Sequence, residues 1–74
     1  MTNLSVVIIT LNEERNIGRC LQSVAGIADD VVVVDSGSTD RTAEICLKHG
    51  VRFITHQWLG FADTKNFANS EAKY

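Results

Sequence analysis

The chain has no proline, one tryptophan, two cysteines and no excess of basic residues: seven lysines and arginines stand against nine acidic residues, a formal net charge of −2. Without proline there is no stiff extended linker and no built-in helix break. The balance of charge leaves no electrostatic footprint for nucleic acid. Cys20 and Cys46 show neither CxxC nor Cys/His spacing, so no disulfide framework or metal site is read from them. Both lie within apolar patterns and are expected as buried free thiols, which fits a reducing, cytoplasmic setting. No stretch approaches the roughly 18 apolar residues of a membrane span, and Met1 leads straight into a short apolar run without a basic leader. With 45% hydrophobic and 22% charged residues in 74, residues 1–74 read as a single small globular domain. A chain of this length hides little more than ~60% of its unfolded surface, so its core must be economical.

What is present is organised around residues 31–40, VVVVDSGSTD. Four β-branched residues without polar alternation predict a strand buried on both faces, the pattern of a parallel sheet covered by helices. Asp35 falls where that strand stops, and ligands of open α/β sheets bind outside the carboxyl ends of the strands. Gly37 permits a sharp turn or a close backbone approach, and Ser38, Thr39 and Asp40 are good helix caps.

In chain order, residues 4–10 (LSVVIIT), bounded by Leu4 and Thr10, predict a first buried strand. Asn12 is expected to cap the next helix, with Glu13 and Glu14 in its first turn. Ile17, Cys20, Leu21 and Val24 form one apolar stripe, with Arg15, Arg19 and Gln22 outside it. A second helix is expected over residues 39–49, with Thr42, Ala43, Ile45 and Cys46 inward and Gly50 terminating it. Residues 51–55 predict a short edge strand, residues 56–60 a loop, and residues 61–74 a third helix with a weak stripe. Strand and helix alternate with short turns, which gives two βαβ units and a three-layer, Rossmann-like α/β parallel sheet.

Two strand ends place Leu11, Asn12 and Glu13 beside Asp35, Ser36 and Gly37. A carboxylate there can accept from an imide N–H or a ribose hydroxyl, while backbone groups after the first strand can read a base edge. The same aspartate can equally serve only to shape an Asx-turn, and spacing leaves both roles open. DSGST departs from the DxDxT of haloacid-dehalogenase phosphatases, because Gly37 replaces the second acid and the motif follows a second strand. A dinucleotide-binding unit requires GxGxxG after the first strand, where this chain has LNEERNIG. DSGSTD also has the look of a phosphodegron, but the preceding strand would bury it. His49 and His56 read as surface or turn residues, and Trp58 and Phe61 as anchors of their loop.

The segments SVVIITLNEE and VVDSGSTDRT resemble the first two motifs of the family 2 glycosyltransferases, which have the GT-A fold, and GFADTKNFAN is similar to a third. HQWLGFADTKN most resembles the bacterial branch that adds glucose to the inner core of lipopolysaccharide or lipooligosaccharide. The resemblance implies the amino-terminal, nucleotide-sugar-binding half of a longer enzyme that transfers glucose from a UDP-sugar to a glycan or lipid-linked glycan acceptor. It implies that Leu11 and Glu13 lie along the nucleobase, that Asp35 holds the uracil or ribose, that Lys65 lies near the base and diphosphate, and that Asn12 and Gly37 belong to the same nucleotide-sugar site. Lys65 stands where the family has arginine, keeping the charge without the planar fork. Ser36 replaces the second aspartate of the family's VDDGS and is kept as a neighbour of the site rather than a ligand. The family's DxD motif and its catalytic base find no counterpart here, so no catalytic and no metal residue is assigned. The divalent metal, Mg or Mn, is implied for the full-length enzyme, as is a place at the inner face of the membrane. A non-catalytic nucleotide-binding or self-associating fragment is the alternative, with the first strand recruiting a second chain as an open edge.

Overall fold

In the computed structural model, which describes residues 3–58 and 60–73, two parallel pairings build the sheet. Strand β1 (Ser5–Thr10) pairs with β2 (Asp30–Asp35) from Ser5 opposite Asp30 to Thr10 opposite Asp35. On its other side β2 pairs with β3 (Arg52–Thr55), from Val32 opposite Arg52 to Asp35 opposite Thr55. The strand order is β1-β2-β3, so β2 is central and β3 lies at an edge, as its short and loosely patterned sequence predicts. Helices α1 (Ile17–Ala25) and α2 (Thr42–Lys48) connect the strands, and α3 (Phe61–Ser70) follows β3.

Strand side chains alternate between faces, and this divides the core in two. Val33 packs with Ile17, Leu21 and Cys46, beneath α1 and α2. Val32 and Val34 point the other way and pack with Ala68 of α3. All three valines are fully buried, which is why the central strand carries no polar alternation. The result is a three-layer α/β arrangement, as expected.

Several local expectations are corrected. Cys46 is buried, and burial pushes its thiol up, but Cys20 is exposed. The inward face of α1 is centred on Ile17 and Leu21, one turn apart, and Cys20 falls on its flank. Helix α1 begins at Ile17 without an acidic first turn, because Asn12 takes the left-handed φ of 51°. The chain then closes a separate turn in which the N–H groups of Asn16 and Ile17 donate to the Glu13 carbonyl at 3.0 and 2.8 Å. Helix α2 begins at Thr42 rather than residue 39, since the Asp40 carboxylate accepts from the Thr42 N–H at 2.9 Å and takes the capping role. Helix α3 stops at Ser70, and its buried positions among the described residues are Thr64 and Ala68. The Phe61 side chain and Tyr74 lie outside the described residues.

The early end of α3 has a cause at the amino-terminal end of the sheet. Asp30 is only 8% exposed, and its carboxylate accepts from Arg52 Nε and Nη2 at 3.2 and 3.0 Å. It also accepts from the Ser5 hydroxyl at 3.1 Å and the Lys73 N–H at 3.0 Å. Arg52 Nη2 donates in addition to the Glu71 carbonyl, so residues 71–73 are drawn off the helical path onto the strands. Arg52 is the main cause holding the Asp30 carboxyl down at about 2, with the Lys73 N–H next. Since the folded value lies below the ordinary 3.8, the unfolded chain takes up this proton first. The stability from Asp30 is therefore fully present above about pH 4 and is lost as pH falls toward about 2. We expect the melting temperature of the native chain, followed by circular dichroism, to fall more between about pH 5 and pH 2 than that of Arg52→Met. Equal falls in the two proteins would show that this pair does not govern acid stability.

Candidate functional site

At the opposite, carboxyl end of the sheet the three strands stop at one level. The Ser36 N–H donates to the Thr10 carbonyl at 3.0 Å and the His56 N–H to the Asp35 carbonyl at 2.9 Å, so pairing runs one residue past each strand. The loops after β1 and β2 are then stitched to each other. Asn12 N–H donates to Ser38 Oγ at 2.8 Å, and Thr39 N–H donates back to Asn12 Oδ1 at 2.9 Å. Glu13 N–H reaches Thr42 Oγ1 at 2.9 Å and Glu14 N–H reaches Asp40 Oδ2 at 3.2 Å. Backbone donors that would otherwise need water are satisfied by the neighbouring loop, which fixes both loops in register.

Asp35 sits beneath this seam, 3% exposed. Its Oδ2 accepts from the N–H groups of Gly37 and Ser38 at 3.0 and 2.7 Å, and its Oδ1 accepts from the Ser38 hydroxyl. Gly37 has φ 111°, a left-handed backbone that lets its N–H turn back to the carboxylate. Asp35 thus makes the Asx-turn that the sequence left open, and its side chain follows Val33 onto the α1 and α2 side of the sheet.

The α3 side of the strand ends carries a cleft of about 460 Å³ lined by Ile9, Thr10, Leu11, Glu13, Ser36 and Trp58. Leu11 and Trp58 are about half exposed, two large apolar side chains held against water on the rim of one concavity. The hydroxyls of Thr10 and Ser36 are buried and have no hydrogen-bond partner, and neither has Nε2 of His56. The His56 ring is stacked on Phe67 of α3, centroids 3.7 Å apart, so it is a packed residue rather than a surface one.

The expected site residues divide accordingly. Leu11 and Glu13 line the cleft. Asn12, Asp35 and Gly37 shape the loops beside it through bonds to the protein itself. Lys65 is exposed on α3 and is not among the lining residues. Ser36, expected only as a neighbour, lines the cleft, and Trp58, expected as a loop anchor, is half exposed at its rim. Thr10 and Ile9 join them without having been singled out. The signal for Ser36 was present in the alternation: one residue beyond Asp35, it must face the other side.

Residues 5–74 match the family profile described as Glycosyl transferase family 2. The chain belongs to that family. It is 46% identical over 70 residues to an uncharacterized glycosyltransferase of Rickettsia typhi, a match covering 95% of this chain and 24% of the relative. It is 43% identical over 70 residues to the lipopolysaccharide core biosynthesis glycosyltransferase LpsC of Rhizobium meliloti, covering 88% of this chain and 26% of LpsC. Among solved structures, glucosyl-3-phosphoglycerate synthase of Mycobacterium tuberculosis in complex with Mn2+, UDP and glucosyl-3-phosphoglycerate superposes with a TM-score of 0.66 at 35% identity. That match covers 72% of this chain and 20% of the synthase. The family 2 chain described here spans about a quarter of the length of the curated relatives it matches. Its sheet is the α/β, GT-A type of arrangement expected from the motifs.

The residues present do not fit a metal site. Among the described residues no three His, Cys, Asp or Glu side chains group together, and both oxygens of Asp35 are engaged by its own loop. No described helix is long and apolar enough to cross a membrane.

Proposed function

We propose that the cleft binds the nucleotide of a UDP-sugar and that residues 1–74 supply the nucleotide-binding part of a glycosyltransferase. The observation that carries this reading is the cleft itself, with apolar walls and the unpartnered Ser36 hydroxyl above the carboxyl ends of parallel strands. The complexes of the mycobacterial synthase with UDP and UDP-glucose support the donor class. The UDP-glucose complex of that synthase supports glucose as the sugar, and the likeness to LpsC supports a lipopolysaccharide-core or related glycan as acceptor, a lipid-linked acceptor that would bring the enzyme to the cytoplasmic face of a membrane. Catalysis, and the divalent metal of the complete enzyme, are not assigned to these residues.

Calorimetric titration with UDP and with uridine tests this reading. Both are expected to bind, and Lys65→Ala is expected to weaken UDP about two- to five-fold, the size of an exposed charge pair, while leaving uridine unchanged. Equal losses for the two ligands would move Lys65 from the diphosphate to the base or the scaffold. No binding of either ligand would overturn the reading.

We also infer that the 74-residue chain self-associates through β1. Among the described residues β1 is paired on one side only, and its free edge reads SVVIIT without lysine or proline. A second copy pairing antiparallel across a two-fold axis would satisfy those backbone groups and cover the groove of Ile8, Ile9, Ile17 and Cys20 alongside. Sedimentation at several concentrations is expected to show a dimer at tens of micromolar. A folded monomer throughout would sink the idea.

A further inference from the structure

We infer that Trp58 and Leu11 form a clamp that takes a planar nucleobase edge-on above β2, with the hydroxyl of Ser36 reading its edge. This inference rests on the nucleotide reading of the cleft and extends it to Trp58, a residue to which the family resemblance assigned no role. The strand order supplies the geometry. Leu11 follows β1 and Trp58 follows β3, so the two side chains rise from loops on either side of the central strand, and Ser36 ends that strand between them. Neighbouring strands lie roughly 4.8 Å apart, which sets β1 and β3 roughly 9.6 Å from each other. A flat ring in van der Waals contact on both faces needs two gaps of roughly 3.5–4 Å, or roughly 7–8 Å between its walls.

The chemistry of the floor points the same way. Ser36 Oγ is buried and unpartnered on the cleft lining. Leaving a buried hydroxyl without a partner is costly, and a ligand that supplies one recovers that cost. A hydroxyl donates one hydrogen bond and accepts others, so it can meet either a carbonyl or an N–H group of a base edge. A carboxylate at position 36 could only accept. The rim offers apolar area on the indole and the leucine, which suits the faces of a heteroaromatic ring.

Trp58 is the sole tryptophan of the chain, so its fluorescence reports on this position alone. The test titrates the 74-residue chain with uridine, UDP and UDP-glucose, following emission and calorimetric heat side by side, with far-UV circular dichroism as the check on folding. The clamp requires uridine alone to quench Trp58 with the same saturation as the heat. Trp58→Ala should then weaken uridine roughly ten-fold, within the range that base stacking on aromatics spans, while Trp58→Phe stays within about three-fold of the native chain. Ser36→Ala should weaken uridine several-fold without lowering the melting temperature, since no bond within the protein is lost. Nucleotide binding by calorimetry with unchanged emission and an unaffected Trp58→Ala would overturn the clamp and leave the nucleotide reading standing. Quenching by UDP-glucose but not by uridine would place Trp58 on the sugar and overturn it too. Absence of binding by both methods would remove the nucleotide reading and the clamp together.

Discussion

Asp35→Ala is expected to lower the affinity for UDP by about 1.5–3 kcal/mol, roughly ten- to a hundred-fold, in a calorimetric titration. The carboxylate is buried and accepts three hydrogen bonds from residues 37 and 38. Ser38 in turn accepts from Asn12, so removing Asp35 loosens the seam that sets the position of Leu11 and Glu13. A second substitution separates loop shaping from direct contact. Asp35→Asn retains one acceptor oxygen for the Gly37 and Ser38 N–H groups, and the Ser38 hydroxyl can reverse to accept from the new amide. If the aspartate acts by holding the loop, the asparagine variant should recover most of the lost affinity. If its charge meets the nucleoside, Asp35→Asn should bind as weakly as Asp35→Ala. Unchanged affinity in a folded Asp35→Ala would leave the residue as a turn former with no consequence for the ligand.

Leu21→Ala should cost about 2–5 kcal/mol, the range for removing a buried leucine and leaving a cavity behind. Leu21 is 2% exposed and packs with Ile17, Val33 and Cys46, which together make up the buried centre beneath α1 and α2. At roughly 0.05–0.15 kcal/mol per residue, a domain of this length holds roughly 4–11 kcal/mol in all, so the substitution removes a large share of it. A fall in melting temperature of at least about 10 °C follows from the shallow enthalpy of so small a domain. Leu47→Ala is the matched control, because Leu47 is 66% exposed and should change stability by no more than about 0.5 kcal/mol. Similar melting temperatures for the two variants would mean that α1 does not anchor the sheet.

The layers and their order were legible in the residue pattern alone. Four valines in a row admit no face for water, so β2 had to be central and covered on both sides, and it is. The spacing of Ile17 and Leu21 dictated which side of α1 meets the sheet, and the looser pattern of residues 51–55 placed β3 at an edge. The motifs around Leu11, Glu13 and Asp35 pointed to a candidate site at the carboxyl ends of β1 and β2, because that end is defined by chain direction alone.

The partners of those residues emerged only from the folded arrangement. Asn12 and Glu14 act across 26 or 27 residues of chain, bonding to Ser38, Thr39 and Asp40 instead of opening their own helix. Asp30 closes on Arg52 and Lys73, 22 and 43 residues away, and so ends α3. Such bonds depend on which strand ends become neighbours and on the strand register, and neither leaves a local mark in the residues concerned. The same holds for the cleft. Ser36 and Trp58 reach it because β1, β2 and β3 stop at one level and pleating turns Ser36 to the face opposite Asp35. Periodicity reads what one segment buries, whereas a site between loops is set by the sheet that joins them.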